Sequence, residues 1–300
     1  MLRRGWLLAG VLMALLMNTA WAGDEPLRVL LTNDDGFEAT GLKAVRAALE
    51  QAGYAVSVVA PLTQQSGSGV RITLGEIALA DHGHHTWSLD GSPADCASYG
   101  ISRLLAGRPP DIVVSGANLG QNLGANAVSS GTVGAAVMAA QLGVPAIAVS
   151  VGLELNEAKA VPTPFPSTVA AYPLAGRLVA QVIGLLATQA KHGPLLPPAT
   201  VLNINVPARE AGDIQGVRLA PLSRHGGFRL IYPERPGQAR VLSTIAVDAA
   251  GRADAEADTG LFAQHYITLS ILHADWNAPA NDIAPLVGLV ADLEKLRIGR

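Results

Sequence analysis

Two adjacent acids, Asp34 and Asp35, stand in "LRVLLTNDDGFEATGL", where the apolar run Val29 to Leu31 stops and an apolar pattern resumes at Phe37. Carboxylates side by side at the mouth of a buried strand repel, by ~4 kcal/mol for unit charges ~4 Å apart at an effective dielectric of ~20. A cation held between them turns that repulsion into attraction, so the pair reads as a metal site. A plain turn would use the same residues, Asn33, Asp34, Asp35 and Gly36, and the stretch alone leaves both readings open.

Other oxygen donors gather where further strands end. "VVAP" is followed by "LTQQSGSG", with Ser66 and Ser68, and "DIVVSG" by "ANLGQN", with Asn118, Gln121 and Asn122. No His or Cys is among them. Carboxylate, carboxamide and hydroxyl oxygens suit a hard divalent cation, Mg²⁺ or Mn²⁺. "SSGTVGAA" then opens a helix: Ser130 can cap it, leaving the Gly131 and Thr132 amides as free donors at the positive helix end, where phosphate binds readily. Motifs for dinucleotides, the P-loop, zinc peptidases and the hydrolase nucleophile elbow are absent. "DHGHH" (Asp81 to His85) reads as a solvated loop, Arg224 and His225 as decoration of a hairpin, and "DGSPADC" as a capped helix start.

The elements that must position these groups follow from periodicity. "LRVLLTN" is a strand, "GLKAVRAALEQAG" an amphipathic helix stopped by Gly53, and "YAVSVVAP" a second strand, which together make a βαβ unit. "DIVVSG", "SGTVGAAVMAAQLG" and "VPAIAVS" repeat the pattern, and the helix "LAGRLVAQVIGLLATQA" precedes the strand "VLNINVP". The expectation is a doubly wound, mostly parallel α/β sheet with helices on both faces. In such sheets ligands sit beyond the C-terminal strand ends, where the donors lie. The predicted organisation is a core over residues 23–207 and a β-rich hairpin extension over 208–300, part of the same domain and used in oligomer contacts. A Pro-rich loop is expected between Glu154 and Thr168.

Bulk properties narrow the class. With 49% hydrophobic and 15% charged residues, 300 residues can bury a sizeable core, and a net charge of −3 carries no basic footprint for a nucleic-acid polymer. Arg3 and Arg4, the apolar "GWLLAGVLMALLM" and the small-x-small Ala20-Trp21-Ala22 form a signal peptide over residues 1–22, with a periplasmic or secreted product and no membrane anchor after cleavage. Every later apolar run is broken by Gly, Pro or charge. One cysteine, Cys96, allows no internal disulfide and reads as a small buried apolar residue.

Five pieces, "LLTNDDG", "VVAPLTQQSGSG", "GSPADC", "PDIVVSGANLGQNLG" and "SSGTVGAAVMAAQLGVPAIAVS", resemble in order the SurE-type nucleotidases and acid phosphatases. Weaker matches continue in "LNINVP" and "DTGLFAQHYITLSIL". The resemblance implies a Rossmann-like, metal-dependent phosphomonoesterase of nucleotides, forming dimers or tetramers, with one divalent cation per subunit. By motif, the ligands would be Asp34, Asp35, Ser66 and Asn118, with Asp34 as base or nucleophile. Asn122, Ser130, Gly131 and Thr132 would line the phosphate pocket. Thr40 stands where members often carry Pro, and Gln64-Gln65 where they carry Asn-Arg, which removes a cation beside the site. The competing reading is an exported nucleotide- or metal-binding protein without turnover.

Overall fold

The computed structural model describes residues 25–277 apart from 159, 161–164, 192, 238 and 248–253. The expected signal peptide, residues 159 and 161–164 of the Pro-rich segment and the end of the extension lie outside the described residues.

β1 (Arg28–Thr32) leads into α1 (Thr40–Gln51), whose Leu42, Val45 and Leu49 fall at helical spacing and are buried. β2 (Ala55–Pro61), β3 (Leu79–Asp81) and β4 (Thr86–Leu89) follow, then α2 (Pro93–Tyr99), β5 (Ile112–Leu119), α3 (Gly131–Gln141), β6 (Ala146–Val151), α4 (Pro166–Ala190) and β7 (Thr200–Val206). The chain past residue 207 supplies β8 (Gly216–Leu219), β9 (Phe228–Ile231), β10 (Thr244–Val247), α5 (Asp258–Ala263) and β11 (Tyr266–His273).

Nine strands form one sheet in the order β3-β4-β2-β1-β5-β6-β7-β11-β8, parallel except for the β3–β4 and β7–β11 pairs. The sheet therefore does not end at residue 207: β11 pairs with β7, β8 pairs with β11, and the separate hairpin is β9 with β10. The chain runs outward from β1 through β2 and β4, then returns to place β5 on the other side of β1. That reversal is the switch point at which doubly wound sheets open a crevice.

Alternation along the central strands builds two cores. Val29, Leu31, Ile112, Val114, Ile147 and Ile204 pack under α1 and α4, whereas Leu30, Val113, Ala146, Ala148 and Val201 meet the small residues of α3. Each large aliphatic chain fully buried this way contributes ~1.5–3 kcal/mol. Cys96 is buried in the second core, and that burial raises its thiol pKa far above the ordinary value.

α4 departs from the expectation. The apolar pattern predicts a start at Leu174, after Pro173, but the helix begins at Pro166 and carries Pro173 inside it. Pro166 sits in the first turn, where a missing N–H costs nothing. α4 is also long and apolar enough to cross a membrane by length and composition, contrary to the expectation for the chain beyond the leader. Its Ala171, Ala175, Val179 and Ile183 instead close the first core against the sheet and α1.

Candidate metal and phosphate site

β1 ends in a tight turn that Asn33 closes by donating Nδ2 to the Gly36 carbonyl at 2.9 Å. The turn delivers Asp34 and Asp35 to the crevice between β1 and β5. Asp34 is 2% exposed. Its Oδ1 accepts from Thr132 Oγ1 at 2.5 Å, and the amides of Gly131 and Thr132 also act on this carboxylate. Burial is the largest influence and raises the pKa, with the hydroxyl and amide donors opposing it only in part. Asp35 Oδ2 accepts the Leu119 amide at 2.9 Å. Burial first, and then the charge of Asp34, lift Asp35 from 3.8 to about 6.

The end of β5 carries Asn118, 7% exposed, whose Nδ2 donates to the Gly120 carbonyl at 2.6 Å. Its Oδ1 is buried and without a hydrogen-bond partner, as are Asn33 Oδ1 and Ser68 Oγ. Unpaired buried acceptors beside two acids are costly in a bare protein. They are also the donor set a hard cation requires. Among the described residues no group of three His, Cys, Asp or Glu side chains is gathered for a metal, so a cation here would rest on the two carboxylates, neutral oxygens and water. The residues fit Mg²⁺ or Mn²⁺.

Ser130 caps α3 as expected, its hydroxyl accepting the Val133 amide at 3.1 Å. The Gly131 and Thr132 amides differ from expectation: they act on Asp34 rather than standing free, because the turn after β1 abuts the helix end. Gly131 permits that approach. A Cβ there would lie 2.6 Å from Ser68 Oγ and 2.8 Å from Asp34 Cβ.

Two other site residues are placed unexpectedly. Ser66 is exposed, and its hydroxyl accepts from Gln64 Nε2 at 2.6 Å, while Ser68 is the serine of this loop that reaches the Asp34–Gly131 contact. Asn122 donates Nδ2 to Ser150 Oγ at 2.8 Å, so part of the side chain assigned to the phosphate pocket is tied to β6. "GSPADC" does more than start α2. Asp95 completes a capping box with Ser92 and also receives the Thr73 amide at 2.9 Å and its hydroxyl at 2.7 Å, anchoring the loop that brings in both serines. "DHGHH" is exposed, as expected, with His82 stacked on Phe37 at 4.3 Å.

The fold and site define a Rossmann-like α/β protein with an acidic, oxygen-lined crevice at its switch point. A profile of the family described as "Survival protein SurE" matches residues 29–227, and the chain belongs to that family. It is 36% identical over 258 residues to the 5'-nucleotidase SurE of Syntrophobacter fumaroxidans, covering 83% of this chain and 94% of that one. Identity to the 5'-nucleotidase SurE of Methanocella arvoryzae is 37% over 259 residues, covering 84% and 93%. The crystal structure of the SurE protein from Aquifex aeolicus superposes with a TM-score of 0.72 at 26% identity, over 88% of this chain and all of that one.

Proposed function

We propose that this chain is a metal-dependent phosphomonoesterase that hydrolyses nucleoside monophosphates and simple aryl phosphates outside the cytoplasm. The observation that carries the reading is the pair of buried Asp34 and half-buried Asp35 at the β1–β5 switch point, with the unpaired Asn118 Oδ1 one residue before the Leu119 amide that bonds Asp35. The names of the relatives support the same class of substrate.

A divalent cation bound there supplies charge to the phosphoryl oxygens and lowers the pKa of a coordinated water. The chain's own part is positioning and proton transfer. Asp34 and Asp35 hold the cation, with Asn118 and a loop serine as neutral ligands. Asp34, kept ready by its burial, takes the proton of the attacking water. The positive end of α3 favours negative charge on the transferred phosphoryl group beside Ser130, while its Gly131 and Thr132 amides hold Asp34. The groups identified address metal and phosphate, and none reads a base, which supports a broad range of esters.

The exposed apolar side chains of the extension, Leu219, Leu230, Tyr232 and Ile245, favour a second copy of the chain as partner, in a dimer or tetramer. The leader supports export.

The test is phosphate release from an aryl phosphate and from several nucleoside monophosphates, with Mn²⁺ or Mg²⁺ and with chelator. Metal-dependent release from both classes is expected. Metal-independent release would overturn the metal assignment. Nucleotide binding without any release would favour the binding-protein reading.

A further inference from the structure

β7 carries two asparagines that its burial makes expensive. In "TVLNINV", Leu202, Ile204 and Val206 face the core under α1 and α4, so Asn203 and Asn205, two residues apart, share the opposite face. Both are 0% exposed. A carboxamide buried without partners is strongly unfavourable, so something must answer these groups.

The partner is Asn122. Asn205 Oδ1 accepts the Asn122 amide at 2.7 Å, and Asn205 Nδ2 donates to the Asn122 carbonyl at 3.2 Å. Asn203 Nδ2 donates to that same carbonyl at 2.9 Å, while Asn203 Oδ1 is buried without a partner. From β6, Ser150 Oγ receives Asn122 Nδ2 at 2.8 Å, and Ser150 is in register with Asn205 on one side and Asn118 on the other. One carboxamide thus pairs with both backbone groups of Asn122, as a neighbouring strand would.

The loop so held is the one that matters to the site. It continues directly from Asn118 and Leu119 at the end of β5, and the Leu119 amide bonds Asp35. Gly120 and Leu153 add the pairs Gly120 N–H to the Val151 carbonyl at 2.8 Å and Leu153 N–H to Gln121 Oε1 at 3.0 Å. Asn118 Nδ2 ties back to the Gly120 carbonyl at 2.6 Å and the Gly124 amide reaches Asp258 Oδ2 at 2.8 Å, so the ends of the segment are fixed independently, and the β7 pair and Ser150 are what hold Asn122 at its middle.

We infer that Asn205, with Asn203 and Ser150, is a positioning residue for the proposed phosphatase reaction, fixing the Asn118–Gly124 loop through Asn122. Asn122 then serves chiefly through where its backbone is held, and its side chain chiefly through Ser150. The inference rests on the proposed function for its kinetic consequence, while the clamp itself is a statement about the loop.

Two readouts separate these. In Asn205→Ala, amide hydrogen exchange across residues 118–124 should rise by about tenfold or more with β1 exchange unchanged, since buried bonds that protect the loop are lost. With an aryl phosphate and Mn²⁺, kcat/KM should fall about ten- to a hundredfold at unchanged far-UV circular dichroism, the scale of a small misplacement of reacting groups. Ser150→Ala and Asn122→Ala, which delete opposite halves of one hydrogen bond, should show matching losses, and the double variant should be no worse than either. This cycle tests the Ser150 side of the clamp, and hydrogen exchange in Asn203→Ala, which removes one donor to the Asn122 carbonyl, tests the β7 side even if Asn205→Ala does not fold. Faster exchange with unaltered kcat/KM would overturn the positioning role, as would an Asn122→Ala loss far beyond that of Ser150→Ala, the mark of direct phosphate contact. A wild-type chain that releases no phosphate would defeat the proposed function alone, leaving exchange to judge the clamp.

Discussion

Thr132 Oγ1 donates to Asp34 Oδ1 at 2.5 Å across 98 residues of sequence. The bond joins the first turn of α3 to the acid after β1, and so joins the two halves of the candidate site. Thr132 is 0% exposed, which leaves the hydroxyl no water to turn to.

Thr132→Val keeps the branched shape and removes the donor. A hydrogen bond to a charged group contributes ~1.5–3 kcal/mol, so stability at neutral pH should drop by about that amount. The Asp34 pKa, already raised by burial, should rise further because an opposing donor is gone. The acid limb of the pH–rate profile should therefore move to higher pH. Melting curves and kcat/KM against pH check both, and an unshifted limb would count against Asp34 as proton acceptor.

Asp95→Ala should loosen the loop carrying Ser66 and Ser68. Burial pushes the Asp95 pKa up, but the donors Thr73 and Ser92 outweigh it and hold the group below its ordinary 3.8. A depressed carboxylate contributes stability that is present above the unfolded pKa and lost as pH falls through the folded one. The variant should lose ~1–3 kcal/mol at neutral pH, from the cap and the Thr73 bonds, and show a shallower acid-side decline. Denaturant unfolding at a series of acidic pH values measures both. A parallel curve would show that Asp95 is not the group titrating.

Legibility of the sequence divides along physical lines. Asp34 and Asp35 stood out because charge at the end of an apolar strand has few explanations. β1, α1, β5 and α3 followed from periodicity, which local sequence carries. Asn203 and Asn205 were hidden in "VLNINV", since alternation looks the same whether the polar face meets solvent or a buried loop from elsewhere. The choice between Ser66 and Ser68 depended on the turn they share, where Gly67 and Gly69 both adopt positive φ, and composition does not specify how such a turn points each hydroxyl. The early start of α4 was masked by Pro173, a local breaker that tertiary packing overrides.

Export predicts cleavage after Ala22, as Ala20-Trp21-Ala22 has the form of a cleavage site. N-terminal sequencing of protein recovered from periplasm or medium should begin at Gly23. Recovery of the activity only with an intact leader, or only from cytoplasm, would reject the localisation.

Metal and pH should act on stability together. Between an unfolded value of 3.8 and a folded value of about 6, Asp35 holds its proton more tightly in the folded chain. Its contribution is therefore complete below 3.8 and lost as pH rises through about 6, and Asp34 shifts in the same direction. In chelator, the melting temperature should decline between about pH 4 and 6. Excess Mn²⁺ competes with the proton for the same oxygens and should oppose that decline, so the metal-induced gain should grow with pH. A gain independent of pH across this window would place the metal elsewhere.

Asp35→Asn separates a metal site from a turn. The carboxamide oxygen can still accept the Leu119 amide, and the residue suits the same turn, so the fold should survive. In chelator at neutral pH the variant should melt higher than wild type, because a half-buried charge and its repulsion with Asp34 are both removed. Metal affinity and turnover should nonetheless fall by orders of magnitude, since the cation loses a full ionic partner. Excess Mn²⁺ should restore part of the rate through the remaining oxygen donors. A purely structural turn predicts the higher melting temperature too, but with normal turnover and unchanged metal dependence. Rate against Mn²⁺ concentration for the two proteins, read beside the melts, therefore decides the role of the pair.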